Sequence, residues 1–229
     1  DFIFPPAGPA GSNNSYTVYG RNLPGGQPSD VKVDGVALQK VAVNIAIPAD
    51  PSQQLAFDTK PSLQRVALTA IEYRLASPAG PSNPMPLYVS QVPVTAEQEP
   101  NNKSENAQKL TTPVEIAGQF FPQNDADWYQ FDAKKGDVFM IEVTSHRMGI
   151  GTDPFLAIFK VTKDEKGEKL ADVAQVDDPA DRSNKLGTDY DVSTDDPSYK
   201  LTVPEDGTYR VAVRDQFGTG RNDPRMVYR

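Results

Sequence analysis

At 229 residues and 38% apolar content, the chain is long enough to fill the cores of one large or two ordinary domains. Its net charge of −8, with no basic stripe, excludes a nucleic-acid partner, because affinity for phosphate backbones comes from clustered Lys and Arg. The absence of cysteine excludes disulfides, thiolate nucleophiles and Cys-type zinc, and the lone His146 excludes a multi-histidine metal centre within one copy.

The 21 prolines and 16 glycines are scattered without period, so they punctuate many short segments, the pattern of an all-β protein. In chain order, Ile3 to Pro6 leads into a loop over Gly8–Asn14. Ser15–Gly20 reads as a strand, and Leu23 to Gly26 as a turn. Further strands are expected at Val31–Val33, Val41–Ile47, Gln64–Arg74 and Met85–Ser90, with Asp34-Gly35 as a hairpin turn. Five or so short strands in about ninety residues suggest an Ig-like β-sandwich over 1–92. Val92 to Ala96 reads as a proline-stiffened strap between domains. One or two helical turns are expected at Ser104–Leu110, with Ser104 as N-cap. Strands then follow at Val114–Phe120, Asp127–Ala133, Asp137–Ser145, Pro154–Val161, Leu170–Val176, Tyr199–Val203, Thr208–Arg214 and Met226–Arg229. The turns Lys134 to Asp137 and Pro204 to Gly207 separate them, with Phe139, Ile141, Val143 and Tyr209, Val211, Val213 as inward rows. The division is therefore 1–92 and 93–229, with a linker at 93–103.

The chemistry concentrates in two acidic phrases. Glu97-Gln98-Glu99-Pro100-Asn101-Asn102 and Asn124-Asp125-Ala126-Asp127-Trp128-Tyr129 each carry carboxylates at i and i+2, which an extended segment projects from one face. Calcium takes six to eight oxygen ligands, and Glu97, Glu99, Asn101, Asp125 and Asp127 are the metal-ligand candidates. Four carboxylates brought together without a cation repel, raising some of their pKa values. A second acidic set, Asp153, Asp177, Asp178, Asp181, Asp189, Asp191, Asp195 and Asp196, matches no EF-hand spacing and reads better as a solvated surface than as a second cation site.

The ordered series Glu97–Asn102, Gly118, Asp125–Phe131, Lys135-Gly136-Asp137, Asp153 to Leu156 and Asp206 to Val211 resembles bacterial pre-peptidase C-terminal (PPC) domains over nearly all of 97–229. The resemblance implies a jelly-roll-like β-sandwich, a non-catalytic appendage of exported bacterial proteins related to the collagen-binding domains of bacterial collagenases. It also implies calcium held between Glu97, Glu99 and Asn101 of the linker and Asp127, with Asp125, of the sandwich. The tyrosine platform of the collagen binders has no counterpart, so collagen affinity is not implied. More loosely, Tyr19 to Leu23 is similar to Ig-like TIG-type modules. The phrase Ser77 to Pro84 before the Glu97 motif looks like large exported planctomycete-type proteins.

No catalytic residues are assigned. Ser145 and His146 are adjacent on a strand and point to opposite faces, which denies them a nucleophile–base bond. Tyr129 and Phe131 are expected in the core, Trp128 over the calcium loop or domain interface, and Tyr16, Tyr19 and Tyr88 as packing rather than ligand-stacking residues.

The chain starts without Met, signal peptide or membrane-length apolar run, so an excised piece of a longer, exported protein is expected, with a periplasmic, cell-surface or extracellular location. Its expected role is that of a calcium-stabilised accessory or spacer module. Its partners would be neighbouring domains of the same parent chain, which carries any enzyme activity. The alternative is a module binding carbohydrate or another extracellular polymer; a hydrolase in its own right is the remote one.

Overall fold

A computed structural model describes residues 1–54, 68–165, 167–179, 185–186, 190–191 and 193–229. The fold is all-β, 51% strand, and the helical pieces among the described residues are three short 3₁₀ turns.

In the amino-terminal part, one sheet runs in the order β1 (Phe2–Phe4), β3 (Asn13–Gly20), β5 (Val36–Ala46), β4 (Gln27–Val33), and every neighbouring pair is antiparallel. Asp34 and Gly35 both have positive φ, 52° and 76°, which is the geometry a tight hairpin between twisted strands requires. A second sheet takes β2 (Ala7–Pro9), β7 (Met85–Ser90) and β6 (Ala70–Tyr73), with β2 parallel to β7. Ile3, Tyr16, Val18 and Ile45 from the first sheet and Ile71, Leu87 and Val89 from the second form one buried cluster between them. The region expected as a loop at Gly8–Asn14 thus contributes to β2 and β3. Of the strand expected at Gln64–Arg74, the described portion is β6; residues 64–67 lie outside the described residues. Tyr16 and Tyr88 are buried, and Tyr19 stacks on Phe2 with ring centroids 4.7 Å apart, so these tyrosines are packing residues.

The carboxyl-terminal part is built on a five-stranded sheet. Its order is β14 (Gly167–Val176), β13 (Pro154–Asp164), β18 (Gly207–Asp215), β11 (Ala126–Ala133), β9 (Gln108–Lys109). Tyr209, Val211 and Val213 form the expected inward row of β18 and are buried against Tyr129 and Phe131 of β11 and Leu156 and Ile158 of β13. Facing strands are β12 (Val138–Glu142) paired with β17 (Ser198–Thr202), and β19 (Val227–Tyr228) paired with β10 (Glu115–Gln119), which pairs in turn with β8 (Val94–Ala96). The two-residue strands β15 (Lys185–Leu186) and β16 (Tyr190–Asp191) form a separate ribbon.

Two local expectations are corrected. Val94–Ala96 is a strand rather than a free strap, parallel to β10 with Val94 opposite Glu115 and Ala96 opposite Ala117. The helix expected at Ser104–Leu110 shrinks to one 3₁₀ turn at Ser104–Asn106; its cap position is Lys103, with no side-chain cap bond. Gln108 and Lys109 instead pair with Tyr129 and Gln130, so sheet pairing prevails over a weak local helix preference. Trp128 stacks on Phe159, centroids 5.4 Å apart, on the side of β11 opposite the core.

A third cluster joins the two parts: Phe2, Ala7, Leu38 and Tyr88 pack with Met148 and Val227, and the Tyr88 hydroxyl donates to the Met148 carbonyl at 3.1 Å. Met148→Ala removes a fully packed side chain and is expected to cost about 2–5 kcal/mol, whereas Val138→Ala, at a position 57% exposed, should change stability by less than about 0.5 kcal/mol. Urea titrations of both variants measure the contrast, and equal effects would contradict this placement of the joint.

Candidate functional site: a buried carboxylate cluster

The acidic phrases meet where β8, β10, β11 and β19 converge. The Glu97 N–H donates to the Ala117 carbonyl at 3.0 Å, continuing the β8–β10 ladder, and the Glu97 carboxylate accepts the Gln119 N–H at 3.0 Å through each oxygen. The loop that follows is tied down by the Gln108 side chain, which accepts from the Gln98 N–H at 2.9 Å and donates to the Ala96 carbonyl at 3.1 Å. Glu99 accepts the Asn101 N–H at 2.8 Å, and the Asn101 carbonyl accepts the Trp128 N–H at 3.0 Å. Asn102 donates to Asp125 at 2.8 Å, and Asp125 also accepts the Phe121 N–H at 3.0 Å.

Asp127 is the unusual member. On β11 the buried positions alternate through Asp127, Tyr129, Phe131 and Ala133, so this carboxylate begins a row whose other members fill the core. One of its oxygens accepts the Tyr228 hydroxyl at 2.6 Å, and that hydroxyl lies 2.5 Å from Tyr129 Oη and 3.4 Å from Glu97 Oε2. Its other oxygen has no hydrogen-bond partner among the described residues. Neither polar side-chain atom of Asn101, which is 0% exposed, has one. Buried polar groups almost always find partners, so three orphaned buried atoms beside clustered carboxylates call for an explanation.

Carboxylate oxygens of Glu99, Asp125 and Asp127 lie within 4.8 Å of one another, a set that can hold a metal ion. Glu97 is bound to the set through Tyr228, and Asn101 is fixed between Glu99 and Trp128. Of the five residues singled out from the sequence, Glu99, Asp125 and Asp127 form the set, Glu97 adjoins it, and Asn101 is placed beside it through its backbone. Tyr228, Gln119 and Gly118 complete the surroundings. Tyr228 lies about a hundred residues from its partners and carries no local signal. A Cβ on Gly118 would sit 2.3 Å from the Tyr228 ring and 2.6 Å from Glu97 Oε2, so only glycine lets both side chains pass over β10.

Electrostatics follow from this packing. Burial raises the proton affinity of Glu97 and Asp127 well above the usual carboxylate range, with further upward pressure from neighbouring carboxylates. Asp125 is pushed up to about 6, by burial first and Glu99 second.

The second acidic set separates. Asp153, Asp177 and Asp178 bring carboxylate oxygens within 4.8 Å, again an arrangement able to hold a metal ion. Asp196 is buried elsewhere and accepts the Ser145, His146 and Arg147 N–H groups at 2.8, 2.6 and 3.0 Å. Asp195 lies beside His146; Asp181 and Asp189 fall outside the described residues, as does the side chain of Asp191. Ser145 Oγ donates to the Val227 carbonyl at 2.8 Å while His146 Nδ1 accepts the Asp195 N–H at 3.1 Å, so the two side chains engage different partners.

No protein-family model matches the chain, and no curated protein aligns with it.

Carboxyls with raised affinity hold protons in the folded state that the unfolded chain has already released. Their stabilising contribution is complete below the unfolded values, about pH 4, and is lost as pH rises through the folded values. In chelator, the Tm of the wild type is therefore expected to fall relative to that of Asp127→Asn as pH increases from about 4 through about 6 and beyond. Calorimetric melts across that range measure the difference, and a constant difference would contradict the raised affinities.

Proposed function

We propose that the chain is a non-catalytic accessory module of an exported multi-domain protein: an Ig-like sandwich followed by a PPC-like jelly roll, with calcium stabilising the Glu97–Asn102 loop. The observation that carries this reading is the fully buried Asp127, one of whose oxygens has no partner among the described residues, within a set of carboxylate oxygens shared with Glu99 and Asp125. Hard, oxygen-preferring calcium suits such a set, whereas zinc favours nitrogen and sulfur. Glu97, Glu99, Asn101, Asp125 and Asp127 would hold the cation, whose positive charge would offset the mutual repulsion of the carboxylates. A cation that binds only the folded arrangement stabilises it by mass action, about 2.7 kcal/mol at a hundredfold excess over Kd. The PPC-like reading rests on the resemblance carried by the ordered motifs of the sequence, and the adjoining domains of the parent chain are the partners this role implies.

Calcium titrated calorimetrically into chelator-treated protein should bind saturably and raise the Tm. The double variant Glu99→Ala, Asp127→Asn should show neither response, and in chelator at pH 8 should melt no lower than the wild type, because buried repulsion has been removed. Absence of calcium heat together with unchanged wild-type melts would sink the cation-stabilised loop.

A further inference from the structure

The carboxylate cluster and the joint between the two halves share one strand. Adjacent residues of a strand face opposite ways, and β19 turns Tyr228 to the core of the five-stranded sheet and Val227 to the apolar joint. The Tyr228 hydroxyl donates to Asp127 at 2.6 Å and lies 3.4 Å from Glu97 Oε2, so a single atom ties β19 to the acidic group.

From Val227 the path continues through hydrogen bonds. The Val227 carbonyl accepts the Ser145 hydroxyl at 2.8 Å, and the Ser145 carbonyl accepts the Met148 N–H at 2.9 Å, closing the 3₁₀ turn His146–Met148. Met148 packs in the joint, and its carbonyl accepts the hydroxyl of Tyr88, on β7 of the amino-terminal half, at 3.1 Å. Asp127, Tyr228, Val227, Ser145, Met148 and Tyr88 are all buried. A chain of covalent and hydrogen bonds therefore runs from the cluster to the amino-terminal half.

Such a path transmits nothing unless it contains an element with two states that both ends bias. β19 meets that condition. It is two residues long, pairing Tyr228 with Gly118 and Val227 with Gln119, and so small a unit opens at lower cost than the long strands of the neighbouring sheet. When β19 lifts from β10, the Tyr228 hydroxyl leaves Asp127 and Val227 leaves the joint together. Anything that binds only the assembled cluster opposes that opening by mass action.

We propose that β19 couples the carboxylate cluster to the joint, so that a cation bound by Glu99, Asp125 and Asp127 holds the Met148 turn closed against the amino-terminal half. The inference rests on the cation reading and adds to it the element that the cation controls. A second connection runs through β8, which leads into Glu97 and packs beside β2. That route bypasses Met148, so the two give different readouts.

The experiment compares amide hydrogen exchange of the 229-residue chain in chelator and in calcium, with calcium binding followed calorimetrically on the same samples. The Met148 and Gly149 N–H groups donate within the turn at 2.9 and 2.8 Å, and the Phe120 N–H donates to the Met226 carbonyl, at the entry to β19, at 2.8 Å. Calcium at a hundredfold excess over Kd should slow these three amides by about tenfold or more, since openings that release the cation are suppressed by up to about a hundredfold. Phe139 and Ile141, opposite Leu201 and Tyr199 in the β12–β17 ribbon, lie off the path and should change by less than about twofold.

Tyr228→Phe removes the hydroxyl that bonds Asp127 and leaves the joint face of β19 intact. With calcium bound, it should retain no more than about a twofold effect at Met148 and Gly149. Val227→Ala cuts the other face without touching the cluster: Phe120 should stay calcium-sensitive while Met148 and Gly149 lose most of their response. Calcium heat with unchanged wild-type exchange at Met148 and Gly149 would overturn the coupling and leave the cation reading standing, whereas absence of calcium heat would overturn both. Slowing that survives both variants would place the coupling in β8, and equal slowing at Phe139 and Ile141 would reduce it to general stabilisation; either result overturns the role of β19.

Discussion

The burial of the Asp127 carboxylate on the core-facing row of β11 is the constraint around which the carboxyl-terminal half is arranged. Removing a carboxylate from water is costly unless it is paired, bonded or protonated. Here the Tyr228 hydroxyl brings β19 to the carboxylate, while Glu97 brings the end of β8 beside it and adds repulsion that favours the protonated form. Gly118 on β10 is small because both side chains cross it. The residues that surround the charge are the same ones that fix the order of strands in the layer above it.

The acid cluster ties the loop after β8 to β11, within the carboxyl-terminal half. The link between the two halves is apolar, made by Tyr88, Leu38 and Phe2 against Met148 and Val227. Two elements connect the cluster with the amino-terminal half: β19, which contributes Tyr228 to the cluster and Val227 to the joint, and β8, which leads into Glu97 and packs beside β2. Adjacent residues of one strand face opposite ways, and β19 uses both faces.

Much of the fold was legible in the sequence because its signals are local. The Asp34-Gly35 turn and the alternating row Tyr209, Val211, Val213 need no knowledge of distant partners. The grouping of Glu99, Asp125 and Asp127 was legible for a similar reason, since extended i, i+2 spacing places the oxygens of Asp125 and Asp127 on one face wherever the segment docks. Val94–Ala96 was not, because three residues show no period and become a strand only by pairing with β10. Ser104–Leu110 failed for a related reason: Gln108 and Lys109 gain sheet bonds to β11 that an isolated turn does not offer. Phe139 and Ile141 have the expected inward direction and pack on the core while only partly buried, because alternation specifies a face and not how completely it is covered.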